Sequence, residues 1–474
     1  MKPSPVVLCD EPRAFAADEI FFSTTDGRGV ITSGNEVFVR ISGYDTGELL
    51  GRAHNIIRHP DMPRAAFRLV WGYLRAGKPV AALVKNRAKD GRHYWVVALI
   101  VPTADGAFLS VRFKPTGPLR AVAAELYAQM LAEERRVRAA GAGEDAAMDA
   151  GERVLLAGLR AAGYADYDTF MRVMLCEELK SRDATLAVEG RTILRPLPDT
   201  AESTPRRPAL AARLAALYGE GSRAYGHLNQ LFHRLDDFVA LHHALEKKSA
   251  FVNNLTGELR LAAMNVALAS SRLGSEGLGL GVISQYMGGA SGEIAGAVHQ
   301  LVGGIATVSA RLRAVIFNLA AARLQIEMVM AFMHELLTAA DTGDAGPSRH
   351  QLIHTLHTAF NSTLSRASHA LHELESNTHG LNATSHSLGR QMIGLQVAQL
   401  GGRVESARLV RQDGFEAVFA NIRRQIDSTH QELGELSDAL DQLESLAEET
   451  PDIAREIETA ASRMEAGIGA LATA

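Results

Sequence analysis

The chain has 474 residues, 47% of them hydrophobic, enough for two or three domains with real cores. A net charge of −5 carries no nucleic-acid footprint, and two cysteines cannot build a disulfide framework. Met1 to Pro12 lacks a secretory pattern and no run of about 18 apolar residues stands out, so a cytoplasmic protein without a transmembrane segment is expected. Charge is uneven all the same. Residues 1–120 hold 17 Lys+Arg against 11 Asp+Glu, a surplus that suits phosphate binding or is a chance surface excess. Aromatic content is only 6%, and alanine and leucine dominate the later chain, which favours long helices.

Residues 19 to 114 read as a small α+β domain. Ile20 to Thr25 is strand-like, Asp26-Gly27-Arg28-Gly29 is a hairpin turn, and Val30 to Ser33 is the return strand. Helical pieces follow at Asn35 to Ile41 and around Glu48 to Leu50, then a helical run from Arg64 to Ala76. Three more strands come next: Val80 to Asn86, His93 to Val101 and Phe108 to Lys114. This order predicts a five-stranded antiparallel sheet with one face covered by helices and a ligand-sized pocket between the layers.

The stretch Asn55-Ile56-Ile57-Arg58-His59-Pro60-Asp61-Met62-Pro63 is the focus of this domain. Two prolines hold it out of the helix that follows, Pro63 suits the first helical position, and Asp61 suits the helix cap. Guanidinium, imidazole and carboxylate beside an apolar helix face (Phe67, Val70, Trp71) suit a flat, anionic cofactor. Spacing alone leaves a plainer reading open, with Trp71 and Phe67 as core and Arg58–Asp61 as a loop salt bridge.

The phrases Phe21-Phe22-Ser23-Thr24-Thr25-Asp26, Ser42-Gly43-Tyr44, His54 to Pro63, Val84-Lys85-Asn86-Arg87 and Tyr94-Trp95-Val96 resemble the PAS domain of bacterial aerotaxis receptors. The resemblance covers roughly a quarter of the chain. It implies non-covalently held FAD and the reporting of redox state or oxygen. The positions matching that family's flavin-retention residues are Asn35, Arg58, His59, Asp61, Phe67, Trp71 and Asn86. Asn86 is then the hydrogen-bonding group expected to respond to flavin reduction. Val80 stands where the family often has an aromatic residue.

Two glycine-bearing stretches are set aside as nucleotide sites. Gly72 to Pro79 ends in proline where a P-loop needs a hydroxyl, and Gly277 to Gly281 lacks dinucleotide spacing. Helical pieces fill 121–195, and Pro196 to Pro208 reads as a linker. A sustained heptad then runs through Leu228, Leu231, Leu235, Phe238, His242 and Leu245, and a second through Ile294, Val298, Leu301, Ile305, Val308 and Leu312 to Met333. Two such arms predict a helical hairpin whose seam pairs with a second hairpin, and so a homodimer; single-chain packing is the rival.

Between the arms, Met264 to Val282 is similar to the cytoplasmic tip of methyl-accepting chemotaxis receptors, in diverged form. Asn265 and Arg272 match, whereas Ala269 and Ser275 replace glutamates and Leu278 replaces an arginine. The resemblance implies contact of Asn265 and Arg272 with a chemotaxis histidine kinase and its coupling protein. Phe251 to Arg260 echoes a sensor-kinase phosphoacceptor box, but Gly257 occupies the histidine position. His350, His354 and His357 could share a helix face; a solvated face is the plainer account than a metal site.

The expected organisation is 1–120 sensor domain, 121–195 helical connector, 196–224 linker, 225–340 helical hairpin, 341–348 linker and 349–474 C-terminal helices. No nucleophile–base pair or metal cluster stands out, so no enzyme is expected. The expected function is a redox- or oxygen-sensing signal transducer, the alternative a scaffold with no flavin.

Overall fold

In the computed structural model the described residues are 7–197, 208–271, 277–338, 349–408 and 415–471. Strands β1 (Phe21–Thr25), β2 (Ile31–Gly34), β3 (Val80–Arg87), β4 (His93–Pro102) and β5 (Phe108–Phe113) form one antiparallel sheet in the order β2-β1-β5-β4-β3. Helices α1 (Glu36–Ser42), α2 (Thr46–Leu49) and α3 (Arg64–Arg75), with a 3₁₀ turn at His54–Ile57, lie between β2 and β3 in sequence. The fold class is therefore the α+β domain that the strand alternation predicts, followed by long helices.

Local chemistry sets the ends of these elements. Asn35 caps α1 by accepting from the Phe38 amide, and Gly43 closes it at φ 72°, a left-handed conformation that suits glycine. Helix α3 starts at Arg64, one residue after Pro63. Its first amides are not capped by Asp61. Glu134, from helix α4 (Leu119–Ala139), accepts from Arg64 N at 3.2 Å and Ala65 N at 2.8 Å. The carboxylate that sequence proximity suggested is engaged elsewhere, and a distant one fills the site.

Strand pairing puts two sets of side chains on opposite faces of the sheet. Phe21, Ser23, Tyr94, Val96, Ala98, Ser110 and Arg112 share one face with Asn86, while Phe22, Leu99, Leu109, Val111 and Phe113 share the other. Helices cover the second face as well as the first. Tyr127 of α4 donates to Leu83 O, and Tyr167 of α6 (Tyr167–Val188) to Ala81 O, both at 2.9 Å. Helix α5 (Glu144–Ala161) braces α3 through Arg68, which pairs with Asp149 and Glu152, both at 2.7 Å.

The helical remainder comprises α7 (Pro208–His233), α8 (Leu235–Ser271), α9 (Leu278–Thr338), α10 (Arg349–Ser406) and α11 (Phe415–Leu471). The chain divides into two compact units. The first joins residues 1–232 with 316–367 and 453–474. Within it the Phe332 ring meets Phe22 edge-on at 5.2 Å. In the same unit, Arg182 and Arg323 close on Glu327, and Arg323 reaches Asp183 at 2.7 Å. The Arg182 guanidinium lies 4.9 Å from the centre of the Phe113 ring.

The second unit, 233–315 with 368–452, packs α8 and the first half of α9 against α10 and α11. Lys248 pairs with Glu432 and Glu435, Arg311 with Glu373 at 2.9 Å, and Asn382 donates to Asp441 at 2.8 Å. The heptad positions Leu235, Phe238, Leu245, Ile294, Leu301, Ile305, Val308 and Leu312 are all buried within this one chain. Among the described residues these seam positions are filled by helices of the same polypeptide, as the single-chain alternative has it. Helix α9 is long and apolar enough to cross a membrane, contrary to the reading that no such run exists, but 89% of its most apolar stretch is buried inside the protein.

Candidate functional site

Between α3 and the first face of the sheet lies a cavity of about 410 Å³. The sheet supplies Asn86, Ala98, Ile100, Phe108, Ser110 and Arg112. Helix α3 supplies Phe67, Val70, Trp71 and Leu74, whose three- and four-residue spacing puts them on one side. Arg28, Gly29, His54 and Arg58 complete the wall. The Arg58 loop is fixed to the sheet by a backbone bridge between Arg58 and Asn86. Gly29, at φ 80°, allows the Trp71 indole to close on the backbone; a Cβ there would lie 3.1 Å from two indole carbons. On its other side Trp71 meets Phe108 edge-on at 5.6 Å.

The cavity is cationic. Arg28, Arg58 and Arg112 line it together with His54, and among the described residues no carboxylate does. Arg58 Nη2 donates to Met62 O at 2.8 Å, and its guanidinium sits 4.3 Å above the Phe67 ring. Burial, then repulsion from Arg64, holds Arg58 below its ordinary basicity. His54 is neutral, because burial and then the Arg112 charge push its pKa well below 6.5. Asn86 Nδ2 and Ser110 Oγ are buried and make no hydrogen bond among the described residues. Donors without acceptors around a cationic hollow are what an acceptor-rich anionic ligand requires.

Residues 31–110 match the PAS fold family. The N-terminal domain is a PAS domain. Over 116 residues the chain is 44% identical to the aerotaxis receptor of Escherichia coli, covering 24% of this chain and 23% of that one. It is 32% identical over 82 residues to the biofilm dispersion protein BdlA of Pseudomonas aeruginosa, covering 17% and 20%. A solved light-oxygen-voltage domain is 23% identical with a TM-score of 0.20, covering 21% of this chain and 81% of that chain. The matched region thus spans about a quarter or less of the curated relatives' length.

Within the PAS domain, the structure brings four of the seven sequence-predicted positions together on the cavity: Arg58, Phe67, Trp71 and Asn86. The other three lie elsewhere. Asn35 accepts from Phe22 N at 3.1 Å, and its Nδ2 donates to Glu335 Oε2 at 2.9 Å. His59 Nδ1 accepts from the Asp61 amide at 3.1 Å, and Asp61 pairs with Lys85 at 2.7 Å. The Arg58–Asp61 loop salt bridge is not formed; Lys85, on β3, takes that carboxylate. Burial, followed by the Lys85 charge, lowers the His59 pKa to about 4.

Sequence reasoning missed His54, Ser110 and Arg112. The available signal was the alternation of β5, where Phe108, Ser110 and Arg112 oppose Leu109, Val111 and Phe113. A polar alternate face normally reads as solvent-facing, and here it faces a cavity.

In the second unit, Asn265 of α8 is exposed, and Arg272 lies outside the described residues. Around Asn265, Leu261, Met264 and Leu268 are exposed; so are Leu278, Val282 and Tyr286 on α9, and Ile393, Val397, Leu400 and Val404 on α10. Of the histidines considered for a metal, His357 is buried with Nε2 3.1 Å from Ala461 O.

Proposed function

We propose that the PAS cavity holds FAD and that the chain is a redox- or oxygen-responsive signal transducer. The observation that carries this reading is the cavity wall: three guanidiniums, no carboxylate and two buried donors with nothing to bond, beside a half-buried indole and phenyl ring. When bound, the flavin supplies reversible electron uptake. Phe67 and Trp71 would pack its flat ring, Asn86 and Ser110 would satisfy its ring-edge acceptors, and Arg28 and Arg58 would meet its phosphates. Asn35, His59 and Asp61 would act one step back: Asn35 through the α1 cap, His59 and Asp61 by shaping the Arg58 loop.

The sheet offers a route outward. Arg112 and Phe113 are neighbours on opposite faces of β5, and Arg182 rests on Phe113. Glu335, near the end of α9, accepts from Asn35 Nδ2 and from Glu36 N at 2.8 Å, so α9 is fastened to the start of α1. A ligand-dependent change at the cavity would thereby bias α9. The output surface would be the exposed apolar stripes around Asn265, with a chemotaxis histidine kinase and its coupling protein as proposed partners. A homodimer would use these stripes, since the described heptad positions are filled within the chain.

The test is the absorbance of freshly purified full-length protein, oxidised and then reduced. A flavin spectrum that bleaches on reduction, and that Arg58→Ala weakens, is expected. A colourless protein that takes up no added FAD would leave the scaffold reading.

A further inference from the structure

Among the described residues, Arg112 is a buried charge with no counter-ion. It is 3% exposed and lines the cavity. Its Nη1 and Nη2 both donate to Ser23 Oγ at 3.0 Å, and Nη2 lies 2.6 Å from His54 Nε2. The rings of Phe21 and Phe38 stand 5.9 and 5.5 Å from its guanidinium. None of these partners is anionic. The comparison within the same unit is sharp: Arg182 and Arg323, equally buried, are met by Glu327, and Arg323 also by Asp183.

Burial lowers the Arg112 pKa to about 10, so the group is still charged at neutral pH. The titratable neighbours cannot neutralise it. His54 is held uncharged, the phenol of Tyr94 on β4 is pushed up by burial and is uncharged too, and Arg28 and Arg58 add charge of the same sign. An uncompensated buried guanidinium is costly, and the cavity that Arg112 lines gives a negative charge access to it. Arg112 is also the deep cation, whereas Arg28 is exposed, so strongly hydrated phosphates belong at the rim and a weakly hydrated ring at the depth of Arg112.

We propose that Arg112 is the charge-compensating residue of the cavity: it offsets the negative charge that a bound flavin ring acquires on reduction, so that two electrons enter with one proton. This rests on the flavin reading above. The balance is simple. The neutral oxidised ring takes two electrons from an external low-potential donor, dithionite in the test, and one proton from water, giving a monoanion. The second proton, which a neutral reduced ring would require, stays in solvent, and the guanidinium neither gains nor loses one.

The experiment is a redox titration of the full-length protein at several mildly acid pH values, where free reduced flavin carries both protons, with free FAD in the same buffers as reference. The midpoint potential of the wild type is expected to fall with pH at half the slope of free FAD. Arg112→Gln restores the full slope, and Arg112→Lys keeps the half slope. A full slope in flavin-loaded wild type, or a half slope retained by Arg112→Gln, overturns the proposal. Should Arg112→Gln hold no flavin, the wild-type slope against free FAD decides alone. A wild type that is colourless and refuses FAD removes the flavin reading and this one with it, whereas a yellow wild type with the full slope removes only the role of Arg112.

Discussion

The two faces of the PAS sheet are built from the same strands and have opposite characters. On the outer face Phe22, Leu109, Val111 and Phe113 are fully covered, and the buried guanidiniums beside them have carboxylate partners. On the cavity face, among the described residues, Ser110 Oγ and Asn86 Nδ2 lack partners and Arg112 lacks a counter-ion. A filled face transmits displacement, because close-packed side chains cannot absorb it; an unfilled face can receive something. In the proposed transducer, residues one apart on β5 would serve reception and transmission.

The contrast can be broken first on the filled side. Glu327→Gln strips Arg182 of its carboxylate and leaves Arg323 with Asp183 alone, and should cost about 3–5 kcal/mol in the urea transition followed by the fluorescence of Trp71 and Trp95. The next effect concerns pH. His59 is held neutral when folded, with its pKa near 4 against 6.5 when unfolded. Its contribution is complete above about pH 6.5 and fades as pH falls toward 4, a loss on the order of 3 kcal/mol that His59→Gln should flatten in stability-versus-pH curves.

On the cavity side, Gly29→Ala places a methyl group against Trp71 in a left-handed backbone position. It should cost about 1–2 kcal/mol and lower flavin occupancy, read from absorbance per chain. Smallest is Asp61→Asn, which removes a half-exposed pair with Lys85; a shift under about 1 kcal/mol is expected. If it instead abolished flavin binding with stability intact, Asp61 would be acting on the ligand and the geometry of the Arg58 loop would need revising.

Much of the PAS fold was legible because strand alternation and turn residues are local signals. The Arg58 loop was legible too, since two prolines fix it regardless of context. Partner choice was not. Asp61 lies beside Arg58 and His59 in sequence, yet Lys85, 24 positions on, takes it. The cap of α3 comes from Glu134, 70 positions beyond Arg64. Likewise Phe332 covers Phe22 across some three hundred residues, a contact that no local periodicity encodes. The heptads gave the period of the seam but could not say whether its complement lay in a second copy or further down the same chain.

In a symmetric assembly every substitution appears twice, so a change good for one helix must be tolerated by its twin. Here α8 with α9 and α10 with α11 are separately encoded, and Lys248 meets Glu432 and Glu435 with no symmetry requiring a reciprocal pair. Each hairpin is free to drift on its own.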